Sequence, residues 1–175
     1  MALPKVATPK YNLKLPSNGK TIKYRPFLVK EEKILLMAVE SEDEKEITNA
    51  ISVIINNCID DDIDIDELAV FDIEYLFLNL RSKSVGESVK LKLPCEHCEN
   101  KECNVSINLS EIDVHRTEGH DTKIQLTDEI GIIMKYPSFG IAGIDNISKD
   151  PLKIVNLCVD QIYDTKSVYH SKDSS

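Results

Sequence analysis

YNLKLPSNGKTIKYRPFLVKEEKILLMAVES (residues 11–41) changes its hydrophobic period halfway along, and that change decides the fold class. Leu13 and Leu15 alternate with polar residues, as do Ile22 and Tyr24, which is the two-residue period of strands. Between them lies Pro16-Ser17-Asn18-Gly19, where Asn-Gly supplies the positive φ of a tight hairpin turn. Pro26 disfavours helix at Arg25 and closes the strand. From Lys30 the spacing becomes helical. Glu31 and Glu32 occupy a first turn that favours acids, and Ile34, Leu35, Met37 and Ala38 can line one face. A hairpin running into a helix points to an α+β chain.

Further on, Ser41 or Asp43 is expected to cap a second helix, whose stripe is Ile47, Ala50, Ile51, Ile54, Ile55 and Cys58. Cys58 completes that stripe and reads as core. DDDIDIDE (residues 60–67) invites a calcium reading, but an EF-hand loop begun at Asp60 needs Gly and Glu where Ile65 and Phe71 stand. Asp66 reads as an N-cap instead. Asp72 is expected to cap a third helix that buries Ile73, Leu76, Phe77 and Leu80 and stops at Gly86.

Two strands follow, ESVKLKL and NVSINL, with Val89, Leu91 and Leu93 alternating in one and Val105, Ile107 and Leu109 in the other. KIQL and EIGIIMKY form a further hairpin around Thr127-Asp128-Glu129. PSFGIAGIDNIS reads as loop. A last helix starts at Ser148 or Asp150, with Pro151 in its first turn and a stripe of Leu152, Val155, Cys158, Val159 and Ile162. The polar tail from Thr165 is expected to fray. The expected fold is α+β: an N-terminal β-hairpin, a central segment of about three helices, β-hairpins with a cysteine knuckle, and a C-terminal helix. The expected divisions are 1–86, 87–147 and 148–175, packed as one compact unit.

The knuckle is the stretch LKLPCEHCENKECNVSINL (residues 91–109). Cys95 and Cys98 form a C-x-x-C, and Cys103 follows on the returning strand. Thiolates at this spacing suit a tetrahedral zinc ion, which would fix the register of the pair. The fourth ligand is open among His97, His115 and His120. A plain hairpin with reduced thiols is equally compatible. A redox pair is the weaker reading, because that chemistry wants C-x-x-C at a helix N-terminus. No general base accompanies the cysteines, so a metal here staples and does not react. A structural zinc is the one cofactor expected.

The 175 residues carry a net charge of −9, and the charge is uneven. Residues 1–39 hold +6, residues 40–74 hold −12, and the remainder −3. Binding to nucleic acid phosphates needs clustered Lys and Arg and is not expected. The opening MALPKVATPK has no apolar h-region, and no apolar run approaches a bilayer's thickness. Five cysteines in a chain with no secretory signal argue against a disulfide framework. No glycine-rich phosphate loop, G-x-S-x-G or H-E-x-x-H occurs, so a binding or assembly module is expected and not an enzyme.

YRPFLVKEEKILLMAVES (24–41), DIEYLFLNLRSKSVGE (72–87) and LCVDQIYD (157–164) resemble the baseplate hub family of T-even-type contractile-tailed phages. The likeness runs from about Leu3 to Tyr169. It implies a late structural or assembly protein, chaperone-like and non-catalytic, that binds other baseplate hub or tail proteins. It implies residence in the host cytoplasm during assembly and in the virion tail baseplate. Members of that family continue beyond the point where this chain ends, which implies a short variant or part of a longer protein. Within the quoted motifs, Arg25 and Phe27 read as setting the entry angle of the first helix, and Arg81 and Lys83 as compensating a helix C-terminus. As exposed residues, the same four are the first candidates for partner contact. The alternative is a cytoplasmic zinc-knuckle adaptor or regulatory protein.

Overall fold

The computed structural model describes residues 8–94, 102–142, 144 and 150–170. Among these residues it is α+β, with five α-helices and three antiparallel sheets. The chain divides into two units, Met1–Ile63 with Glu74–Val114, and Asp64–Ile73 with His115–Ser175.

In the first unit, β1 (Tyr11–Lys14) pairs antiparallel with β2 (Thr21–Tyr24), setting Leu13 opposite Ile22. The turn is closed by Leu15 N–H to the Lys20 carbonyl at 2.8 Å and by Lys20 N–H to Asn18 Oδ1 at 2.8 Å. Gly19 holds φ +73°, the conformation expected of it. α1 (Val29–Glu40) and α2 (Glu44–Cys58) follow. Asp43 is the cap of α2, accepting Lys45 N–H at 2.8 Å, while Ser41 ends α1 and donates its hydroxyl to the Ala38 carbonyl. Beyond α2 the chain runs back along β2: Arg25 N–H donates to the Cys58 carbonyl, and Asp60 N–H to the Lys23 carbonyl. The core collects Leu15, Ile22, Ile54, Ile55, Leu76 and Leu80, all nearly or fully buried. α3 (Val70–Val85) ends at Gly86, whose φ of +137° stops the helix. β3 (Ser88–Pro94) and β4 (Glu102–Asn108) then form a long antiparallel ribbon.

Two details of α1 and α3 depart from expectation. The inward face of α1 is Glu31, Ile34, Leu35 and Ala38, while Met37 is 61% exposed. Positions 31, 34, 35 and 38 lie on one side of a 3.6-residue helix and position 37 does not. Asp72 is not the cap of α3 but lies in its first turn, fully buried, where a carboxylate meets the positive end of the helix. Likewise Asp64, not Asp66, caps the short 3-10 turn Ile65–Glu67, accepting the Asp66 N–H at 3.0 Å.

In the second unit, β5 (Lys123–Gln125), β6 (Gly131–Met134), β7 (Val159–Tyr163) and β8 (Val168–His170) form one sheet in that order. The β5–β6 hairpin lies where the sequence places it. Its turn is held by Thr127 Oγ1, which accepts the N–H groups of Glu129 and Ile130. The stretch expected to be loop contains a single helical turn, α4 (Phe139–Ala142), where Phe139 N–H donates to the Leu68 carbonyl at 2.8 Å. Ala69 pairs with Ser138 in an isolated bridge.

The largest departure is at the C-terminal end. α5 (Pro151–Cys158) is capped by Asp150 as expected, but Val159 and Ile162 leave the helix and enter β7. Within the tail expected to fray, Val168–His170 form β8, with Ile162 opposite Tyr169. Val159, Ile162 and Val168 are β-branched and suit strands. Asp164 Oδ1 accepts the N–H groups of Lys166 and Ser167, folding the chain back. Pairing with β6 therefore overrides the helical spacing of Cys158, Val159 and Ile162.

Candidate functional site

The four residues named as contact candidates are mostly used within the protein. Arg25 Nη2 donates to Glu31 Oε1 at 3.0 Å and to the Asn57 carbonyl at 2.7 Å, and its Nη1 donates to the Pro26 carbonyl. Glu31 is fully buried, and its Oε2 accepts the Leu28 N–H at 2.9 Å, capping α1. Burial pushes the Glu31 carboxyl up, but the Leu28 N–H, Arg25 and Lys30 together outweigh it and hold the pKa below its ordinary value. Phe27 is 8% exposed and belongs to the core, which corrects its expected exposure. Its N–H donates to Ser84 Oγ, which in turn donates to the Leu80 carbonyl, tying the entry to α1 onto α3. Lys83, in the last turn of α3, meets Glu87 at 2.6 Å and lies 5.7 Å from the Tyr11 ring centroid. Arg81 is half-buried, and its Nη1 has no hydrogen-bond partner among the described residues.

Of the expected metal ligands, Cys95, His97 and Cys98 lie outside the described residues. Cys103 is exposed on β4, opposite Leu93. His115 is exposed in the second unit, and His120 Nε2 is 2.9 Å from the Tyr136 hydroxyl with the two rings stacked. Among the described residues no three His, Cys, Asp or Glu side chains gather at one point. Cys58 is fully buried, and burial pushes its thiol up to about 11; burial raises the Cys158 thiol too. Both are core, as Cys58 and Cys158 were expected to be. The acidic stretch has local uses: Asp61 Oδ2 accepts the Lys23 N–H, and Asp60 pairs with Lys10 at 2.6 Å.

The sequence reading missed the outer surface. Val29, Leu36, Met37 and Val39 stand on the outward side of α1, 53–80% exposed. The β3–β4 register places Leu91 opposite Val105 and Leu93 opposite Cys103 on one side of the ribbon. Leu91, Leu93 and Val105 are 37–44% exposed, while Leu109 at the ribbon's root is buried. In the second unit, Ile124, Leu126, Ile130, Ile162 and Tyr169 are exposed on the sheet. The apolar spacing of these segments was visible, but which face would stay uncovered depends on packing, which spacing does not report.

Among the described residues, apolar side chains stand exposed on α1, on the β3–β4 ribbon and on the second unit's sheet. The chain belongs to the family described as T4 bacteriophage base plate protein, which it matches over residues 8–175. No curated protein and no solved structure matches it.

Proposed function

We propose that the chain is a structural or assembly protein of the baseplate hub of a contractile phage tail, working by protein–protein binding and without catalysis. The observation that carries this is the set of uncovered apolar faces, on α1, on the β3–β4 ribbon and on the second unit's sheet. Monomeric proteins seldom leave several such faces open, and each is a place for a neighbour to bury. Family membership supplies the class of neighbour, other baseplate or tail proteins of the phage. A chaperone-like role, acting in the host cytoplasm before the particle matures, fits the same surfaces. Affinity capture after co-expression with the other hub proteins tests the reading. Stable association with at least one is expected, and association with none removes it.

A zinc knuckle at the ribbon tip is a compatible local feature. It is favoured by the register, which ends at Pro94↔Glu102, next to Cys95, with Cys103 exposed on the returning strand. Cys95, Cys98 and Cys103 would supply thiolates, with a histidine among His97, His115 and His120 closing the tetrahedron. Elemental analysis of purified protein should give about one zinc per chain, falling when Cys103 is changed to Ser. A metal-free wild type would remove the knuckle, and with it the zinc-adaptor alternative, while leaving the hub reading untouched.

A further inference from the structure

We propose that the outer face of the β5–β8 sheet seats one amphipathic α-helix of another baseplate protein, a helix with Lys or Arg flanking its apolar stripe. This rests on the reading that the chain works by docking. The register supplies the geometry: Ile124 lies opposite Ile132, Ile132 opposite Ile162, and Ile162 opposite Tyr169, an unbroken row across all four strands. Leu126 N–H donates to the Ile130 carbonyl at 2.9 Å, which continues the β5–β6 register by one pair. Residues two apart share a face of a strand, so Leu126 and Ile130 form a second row beside the first. Ile124, Leu126, Ile130, Ile162 and Tyr169 are 42–58% exposed.

The opposite face is furnished from within. Tyr163 lies across Gly131, donates its hydroxyl to Gln125 Oε1 at 2.9 Å, and carries Lys123 Nζ 4.7 Å above its ring. One face of the sheet thus carries these polar and aromatic contacts, with Val168 exposed at its edge, while the other presents a largely apolar row with Ile132 half-buried at its centre, a face that a second layer can cover.

Size and charge choose the occupant. The first row spans three inter-strand spacings, about 14 Å, and the second adds a two-residue step of about 7 Å over β5 and β6 alone. One helix about 10–12 Å across covers that, whereas a second sheet would overhang it. Asp128 and Glu129 are exposed in the turn beside Leu126 and Ile130 and give that end of the patch its negative charge. Among the described residues, Lys166 lies in the β7–β8 turn at the same end of the sheet, while Lys123 is turned to the other face. A second copy would bring carboxylates against carboxylates, while a basic-rimmed helix complements them.

The test co-expresses the chain with the other baseplate proteins of the same phage, one at a time, and measures affinity capture. Wild type is expected to retain a partner. The double change Leu126→Ser with Tyr169→Ser, on exposed side chains, should weaken capture by about tenfold or more with the circular dichroism unchanged. Asp128→Lys with Glu129→Lys should weaken it in low salt, and Val168→Ser, on the opposite face, should leave it unchanged. Limited proteolysis of the complex should leave bound a basic segment with helical apolar spacing. Should the double variant unfold, Ile124→Thr repeats the test on an edge strand. Undiminished capture by the folded face variants overturns the proposal and leaves the docking reading standing. Equal loss with Val168→Ser, a bound segment that is acidic or extended, or self-association through Leu126 and Tyr169 overturns it too. If wild type retains none of the proteins, the docking reading itself falls and takes this proposal with it.

Discussion

Glu31 is the residue on which the first unit turns. It is a fully buried carboxylate that receives the Leu28 N–H and meets both Arg25 and Lys30, at 3.0 and 3.2 Å. Glu31→Ala removes the Leu28 cap and the Arg25 pair, while Arg25 keeps the Pro26 and Asn57 carbonyls and Lys30 is exposed, so it should cost about 1–3 kcal/mol in denaturant unfolding. The sign of its pH effect follows from the lowered pKa. The stabilisation is present above the ordinary carboxylate range and is lost as pH falls through the folded value, so Glu31→Ala should flatten the loss of stability on acidification. Unfolding midpoints measured from neutral pH downward check this. The thiols give a second prediction. Iodoacetamide should modify Cys103 in the folded protein stripped of metal by a chelator, whereas Cys58 and Cys158 should react only after unfolding, as read by mass spectrometry. Cys58 was legible from its place in a helical stripe. Glu31 was read as a first-turn acid, but its pair with Arg25 was not legible, because Arg25 reaches it only through the fold, held there by the Asn57 carbonyl.

At the scale of elements, local turn chemistry was the most readable signal. Asn18-Gly19, Pro151 behind Asp150, and Gly86 after α3 each act where the sequence places them. The end of α5 was not legible from spacing, since Val159 and Ile162 fit a helical stripe and a strand equally well, and β6 decides between them. The β-branched run and the Asp164 turn were the available clues. Gly131 was also passed over. A glycine inside a strand marks close approach, and here the Tyr163 phenol occupies the space where a Cβ would stand. Gly131→Ala should therefore destabilise the protein by about 1–3 kcal/mol through overpacking, while Tyr163→Phe, which loses only the bond to Gln125, should cost about 1 kcal/mol. Thermal unfolding of the two variants separates the effects.

At the scale of the molecule, composition and missing catalytic motifs pointed to binding, and the α+β class was readable from the switch in period. The identity of the bare faces was not, because burial is a property of packed layers and not of single segments. No described helix is long and apolar enough to cross a membrane. The family and the surface together make docking onto other baseplate proteins the central claim. The most direct measurement is mass spectrometry of baseplate assembly intermediates isolated intact from infected cells. The account predicts this chain in those particles, cross-linked to other baseplate proteins through residues of α1, the β3–β4 ribbon or the β5–β8 sheet. Intermediates that form normally without it, or a chain that stays free throughout assembly, would contradict the account.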